Sequence, residues 1–426
     1  MNSRCRILLL AAIGYLVVSF GARPALFSED AKAPEPLKVT HKQNTDALTP
    51  YDVFEITFTH ENDYASPFFD VTIDVTFKSP SGKETTIGGF FYGSLEPPKI
   101  TTVRNDKGPE RRVYSYAKHN TWKARFAPAE LGQWKYSYAF TNKDGQKAEG
   151  AGEFKCVEGR VKNHGFVRVN PDDKYRFVFD DGTPYYPIGF QDGFYDSKGL
   201  GTLLAAAAME GPFRNDGHGK QGLPEGAMYK PGPSNNPLNQ DVCFRRFSQS
   251  GFNMFRTGPA NNLVSLYDDL DHYKVHEARM MDELLQMERK YRMRPFYGIF
   301  GSQYAFQDKP ENKEAMEKVK RFIKYSVDRW GAYVDVWEFF NEQKVDTKWY
   351  EQMVPYLKSI DPYHHPVTTS WERPEIEGID INAPHWYDNE DRFRSDAITA
   401  ERTADWKKRG KPVIVGEQGN YTDQKV

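Results

Sequence analysis

Two glutamates stand where they could do acid, base or nucleophilic chemistry together. Glu342 follows Trp337-Glu338-Phe339-Phe340-Asn341, and Glu417 follows Val413-Ile414-Val415-Gly416. Each acid closes a short apolar run of the kind that forms a buried strand. Each would therefore sit at a strand end, facing the cleft those ends share. Two carboxyl groups about 5–5.5 Å apart suit retaining glycoside hydrolysis, in which one protonates the leaving oxygen and the other attacks the anomeric carbon. A lone Glu at a strand end is more often solvated or ion-paired, so the joint placement carries the reading. Asn341, beside the first acid, is positioned to hydrogen-bond a sugar hydroxyl. The acid role requires Glu342 to hold a proton near neutral pH, which partial burial and the charge of Glu417 would both favour.

Such acids need a scaffold with many strand ends on one face. After Gly165, Phe166–Val169 and Tyr175–Phe179 read as a hairpin around Asn170-Pro171-Asp172. Short apolar strands follow at Tyr185–Phe190, Asn253–Thr257, Arg294–Phe300, Val334–Phe340, Val367–Trp371, Ile379–Ala383 and Val413–Gly416. Amphipathic helices are expected at Gln240–Ser250, Val275–Tyr291, Asn312–Trp330, Thr347–Ile360 and Ala397–Arg409. Strand–helix alternation predicts a parallel sheet with crossover helices. Seven strands favour a (β/α)8 TIM-type barrel over a doubly wound sheet, because no Gly-rich dinucleotide fingerprint follows the first strand. Residues 196–239, rich in Gly, Pro and Asn, read either as a large loop on the active face or as a disordered insertion. Only nine residues follow Glu417, too few for the remaining helices and strand at about 30 residues per unit. The barrel is therefore expected to be truncated after strand seven, as a fragment of a longer enzyme.

The N-terminal part has a different period. Val71, Ile73, Val75 and Phe77 alternate with polar residues, as do Trp122, Ala124 and Phe126, and Trp134 through Phe140. Short alternating strands between turns predict a β-sandwich. Arg4 and Arg6 precede the apolar run Ile7–Phe20, with small residues at Ala22 and Ala25, the pattern of an export signal. The run is short for a membrane span, which needs about 20 apolar residues. The expected layout is a signal peptide at 1–25, a linker at 26–45, the sandwich at 46–160 and the incomplete barrel at 161–426, exported to a periplasmic or extracellular location. With 57 basic and 59 acidic residues and no basic run, the chain lacks the footprint of a nucleic-acid binder. Cys156 and Cys243 fall in different expected domains and read as buried thiols rather than a disulfide.

These motifs together resemble the clan A glycoside hydrolases. Their acid/base Glu follows an Asn at the end of strand four, as in Asn341-Glu342, and their nucleophile ends strand seven, as in Val-Ile-Val-Gly-Glu417. Gly251-Phe252-Asn253-Met254-Phe255-Arg256 resembles the strand-two motif whose Arg supports the nucleophile, which implies that Arg256 keeps Glu417 ionised. His385-Trp386-Tyr387 resembles the His-x-Tyr after strand six, with the Tyr on the nucleophile and the His close by. Trp386 is taken as a further support residue, and Trp371 after strand five as a platform for stacking a sugar. Ala124-Arg125-Phe126-Ala127-Pro128 through Gly132-Gln133-Trp134-Lys135-Tyr136 resembles a β-sandwich of unknown function that precedes such barrels in bacterial polysaccharide-degrading enzymes.

Other features take blander readings. His272 and His276 have metal-pair spacing but lack the Glu of a zinc-protease helix, and no strand-end cluster has ligand spacing, so neither metal nor cofactor is expected. Glu338 shares the face of Glu342 and reads as a paired carboxylate lower in the barrel, with Arg256 a candidate partner. His364-His365 reads as a turn at the far end. The implied partner is a carbohydrate substrate, with no nucleic acid and no stable membrane insertion after signal cleavage; the oligomeric state is left open. The competing reading is a secreted carbohydrate-binding or scaffold protein with a catalytically inactive barrel.

Overall fold

Alternation of apolar and polar residues shapes the first part of the chain. The computed structural model describes residues 36–61, 63–103, 111–191, 240–259, 265–387 and 395–419. Strands Thr40–Gln43, Phe54–Thr59, Thr121–Phe126 and Phe90–Gly93 lie side by side in that order, all antiparallel. A second sheet orders Ala47–Leu48, Lys147–Cys156, Gly132–Asn142, Val71–Lys78 and Glu84–Gly88, antiparallel except for its first pair. Phe54, Ile56 and Phe58 of one sheet share a buried cluster with Ile73, Val75, Phe77, Trp134 and Phe140 of the other, as a period of two requires. Phe54 stacks on Phe154 with ring centres 4.0 Å apart, and Phe77 on Phe126 at 4.2 Å. The first sheet starts at Thr40, inside the stretch expected to be a linker, because Thr40–Gln43 finds a partner in Phe54–Thr59. Cys156 is a buried free thiol. The expected export signal and the stretch 196–239 lie outside the described residues.

The hairpin Val167–Val169 with Phe177–Phe179 leads on, extended by Pro184–Tyr185. Then come β1 (Gly189–Gln191), β2 (Met254–Thr257), β3 (Arg294–Gly301), β4 (Val336–Phe340) and β5 (Val367–Thr368), which form one parallel sheet in chain order. The succession continues past β5: the Asp380 N–H donates to Val367 O at 2.8 Å, and Asn382 bridges Val413 in parallel. Strands β6 (His385–Tyr387) and β7 (Glu417–Gly419) then pair in parallel. The row curves round, because Gln191 of β1 reaches Glu417 of β7 at 3.0 Å. Sequence periodicity places these strands well but their ends less so. Strand seven is shifted from the expected 413–416 to 417–419, and strand six from 379–383 to 385–387.

Helices α1 (Gln240–Gln249), α2 (Val275–Lys290), α3 (Lys313–Trp330), α4 (Thr347–Ile360) and α5 (Ser395–Lys407) fall where the apolar stripes predict them. Asn312 caps α3 by accepting the Ala315 N–H, and Asp346 caps α4 by accepting that of Lys348. Helix α3 buries Met316, Val319, Phe322, Ile323 and Trp330. None of the helices among the described residues is long and apolar enough to cross a membrane.

A buried ionic knot joins the two parts. Asp282 of α2 accepts from Arg125 Nη1 (2.8 Å), Arg329 Nε (3.0 Å), Arg329 Nη2 (2.7 Å) and Trp330 Nε1 (2.9 Å). Arg125 comes from the first sheet, and its Nε continues to Glu55 at 2.7 Å.

Candidate active site

The chain turns sharply after β4, and that turn presents Glu342. Its backbone lies in the left-handed region, φ 49°, a conformation that costs a residue with a side chain about 1–2 kcal/mol. Tertiary contacts enforce it. The Glu342 N–H donates to Ser370 Oγ at 3.1 Å, whose own hydroxyl donates to Phe340 O at 2.9 Å. The Asn341 N–H donates to Gly301 O at 2.9 Å. Gly301 has φ 55°, and a β-carbon there would lie 1.7 Å from Pro259 O, so only glycine fits.

Glu417 opens β7, directly across the ladder from His385. Its Oε1 accepts from Arg256 Nη1 at 2.7 Å and from Gln191 Nε2 at 3.0 Å, and its Oε2 accepts from the Tyr387 hydroxyl. Burial alone would raise the carboxyl's affinity for a proton. The Arg256 guanidinium, then His385 and the hydrogen bonds from Tyr387 and Gln191, outweigh burial and hold Glu417 below the usual carboxylate range.

His385 ties the two acids together. Its Nδ1 lies 3.0 Å from Glu342 Oε1 and 3.9 Å from Glu417 Oε1. One oxygen of each acid and a ring nitrogen of His385 all fall within 4.8 Å of one another. Gly416 makes room for that ring, since a β-carbon there would come 2.8 Å from His385 Nε2. Such a trio has the spacing of cation ligands, but Glu417 Oε1 already receives a guanidinium N–H and His385 Nδ1 already faces Glu342. The two acids thus stand close together with His385 between them, hydrogen-bonded to Glu342. Glu342 is the more open acid, its side chain 38% exposed against 16% for Glu417.

Of the residues expected at this site, Arg256, Asn341, Glu342, His385, Tyr387 and Glu417 are brought together. Asn341 Oδ1 is committed to Arg256 Nη2 at 2.9 Å, so only its amide nitrogen remains to meet a sugar. Trp371 is 51% exposed on the wall of an open cavity of about 420 Å³, which the loop Gln343–Thr347 that continues from Glu342 also lines. Trp386 is not part of the site. It lies between His385 and Tyr387, so strand alternation turns it to the other face, where it is buried under Arg402 of α5. Glu338 pairs with Arg256 as expected. His272 sits on Asp269 at 2.8 Å while His276 stacks on Tyr114 and meets Tyr116 Oη at 2.9 Å, so the two do not converge. His364 occupies a left-handed turn, and His365 is buried against Asp361. Gln191 and Ser370 join the site without a sequence signal, each being a single polar residue at a strand end.

Residues 47–141 match a family model described as a domain of unknown function, DUF5060. No curated protein matches the chain. Among solved structures, a candidate glycoside hydrolase from Bacteroides vulgatus ATCC 8482 overlays with a TM-score of 0.55 at 17% identity, covering 87% of this chain. The overlay spans 64% of the Bacteroides protein, and at that identity it establishes the likeness of fold alone. A family 5 mannosidase from Rhizomucor miehei overlays at a TM-score of 0.41 and 14% identity over 60% of this chain and 73% of its own, too loosely to carry an argument. The fold is thus like that of the Bacteroides candidate glycoside hydrolase.

Proposed function

We propose that this chain is the β-sandwich and (β/α) barrel of an exported retaining glycoside hydrolase that cleaves a poly- or oligosaccharide. The observation that carries the reading is the acid pair itself: carboxylate oxygens of Glu342 and Glu417 within 4.8 Å. That closeness supports a retaining pair, whose carboxyl groups stand about 5–5.5 Å apart, over an inverting pair at about 6.5–9.5 Å. The unequal environments support the division of roles. Glu417, ionised and fixed by three donors, is the nucleophile. Glu342, open and hydrogen-bonded to a histidine, is the acid/base.

In the first step a Glu417 oxygen bonds to the anomeric carbon as the glycosidic C–O bond breaks, and Glu342 gives its proton to the leaving oxygen. In the second, Glu342 takes a proton from water, the water oxygen bonds to the anomeric carbon, and the ester to Glu417 breaks. Trp371 offers its face to a sugar beside the acid. Its cavity adjoins the loop that follows Glu342, the side on which the leaving group departs.

The test uses 2,4-dinitrophenyl β-glycosides of glucose, mannose, galactose and xylose with sodium azide present. Glu417→Ala should lose turnover on the order of 10³-fold or more, and azide should then yield the glycosyl azide of inverted configuration. Glu342→Ala with azide should yield the retained one. Wild-type turnover by Glu417→Ala refutes the assignment.

A further inference from the structure

Every N–H of Arg256 has an acceptor. Nε and one Nη2 hydrogen reach the two oxygens of Glu338 at 3.0 and 2.8 Å, and the other Nη2 hydrogen reaches Asn341 Oδ1 at 2.9 Å. One Nη1 hydrogen reaches Glu417 Oε1 at 2.7 Å and the other reaches Gln191 Oε1. A guanidinium has five N–H groups, so Arg256 is held in one orientation by four residues on three strands. Glu338 supplies the two-pronged half of that grip. It is only 1% exposed and lies beneath Arg256, out of reach of any substrate.

The charges make the arrangement more than a brace. One buried cation serves two carboxylates, Glu338 and Glu417. While Glu417 is free, the cluster carries one net negative charge. Once Glu417 is esterified, Arg256 and Glu338 remain as a balanced pair. Were Glu338 neutral, the same esterification would leave a buried cation with no counter-charge, which is costly. We infer that Glu338 is a positioning residue that orients and charge-balances Arg256, so that Glu417 can give up its own charge on forming the covalent intermediate. This rests on Glu417 being the nucleophile.

The charged and titratable groups that face Glu417 among the described residues are Arg256 on β2, Glu342 after β4, and His385 and Tyr387 on β6. Glu338 acts through Arg256, and Gln191 on β1 adds a neutral contact. Removing the Glu338 charge leaves the Arg256 charge less opposed, so Glu417 should protonate at lower pH.

The experiment follows the Glu417 carboxyl carbon by NMR in the full chain labelled with ¹³C at glutamate carboxyls, assigned through Glu417→Gln. Glu338→Gln should move the Glu417 titration down by about one pH unit. It should also move the acidic limb of kcat/KM on the dinitrophenyl glycosides by the same amount, and the pre-steady-state burst of dinitrophenolate should shrink. Glu338→Asp keeps the charge and should return titration and limb to wild type while the rate stays reduced by the poorer fork. An unmoved titration in Glu338→Gln, or equal displacement in Gln and Asp variants, overturns the inference. If Glu338→Gln does not fold, Arg256→Met combined with Glu338→Met removes the pair together, and the Glu417 titration must then rise above wild type; no rise overturns it as well. A wild-type chain silent on every glycoside refutes the glycosidase reading instead, and the NMR titration still judges whether Glu338 balances Arg256.

Discussion

Asp282→Asn should unfold the chain far more easily than most single changes. The Asp282 carboxylate accepts four N–H groups, three of them from two arginines that are themselves buried. Glu55 is shared between Arg125 and Lys123, and Asp282 is the acid that balances Arg329. The substitution leaves that cation without a counter-charge and turns amide hydrogens toward its guanidinium, so the expected loss is about 3–5 kcal/mol. Urea unfolding at pH 7, followed by tryptophan fluorescence and far-UV circular dichroism, measures it as a lower midpoint at unchanged slope. Adding Arg329→Met should recover a large part, because the penalty belongs to the unpaired cation. The pH dependence has a definite sign. Burial pushes the Asp282 carboxyl up, but Arg125 and Arg329 outweigh it and hold it well below the usual carboxylate range. Its contribution is therefore full above the unfolded-state value near pH 4 and is lost as pH falls below that toward the folded value. Asp282→Asn should flatten this acid limb. A loss under about 1 kcal/mol, or no recovery on adding Arg329→Met, refutes the reasoning.

Glu288→Met should stabilise the protein at neutral pH. Burial and the charge of Asp335 push the Glu288 carboxyl up, against Arg289, and neither of its oxygens has a hydrogen-bond partner among the described residues. A folded value above the unfolded one means that native Glu288 stability is full below about pH 4 and falls as pH rises; the variant should lose that slope in denaturant midpoints measured from pH 4 to 9. Trp371→Ala should raise KM for an oligosaccharide roughly 5- to 150-fold, taking stacking as about 1–3 kcal/mol by analogy with other ring-stacking contacts, with the urea midpoint unchanged because the ring is half exposed. An equal effect of Trp386→Ala on KM would show that the alternation argument is wrong.

Patterns that repeat were legible in the sequence, and those resting on one distant contact were not. Helix α4 has the expected bounds, since its apolar stripe and its Asp346 cap agree. Strands six and seven were displaced because the apolar runs Ile379–Ala383 and Val413–Gly416 mark burial, while the ladder is set by where His385 and Glu417 can pair. The acid pair, Arg256 and Tyr387, which motifs with fixed spacing single out, lie close together in the fold. Trp386 lies outside the site because a period of two turns it away from its neighbours His385 and Tyr387. Gln191 could not have been foreseen, being tied to Glu417 across 226 positions by a single amide. The ionic knot at Asp282 was equally invisible, since Arg125, Asp282 and Arg329 are ordinary charges until three elements bring them together.

The left-handed turn at Glu342 also bears on how such a chain would change over generations. Glutamate is a poor choice for that backbone, and asparagine or glycine adopts it with less strain. Backbone strain therefore favours drift at this position, and among the described residues His385 is the one side chain that loses a partner when Glu342 goes. Glu417 is in the opposite situation, because Arg256, Gln191 and Tyr387 all lose a partner when it goes. A lineage released from catalysis should shed the first acid early and keep the second long afterwards. Under the proposed roles, related chains with Asn or Gly matching Glu342 and an intact match to Glu417 would mark descendants that still fold but no longer cut.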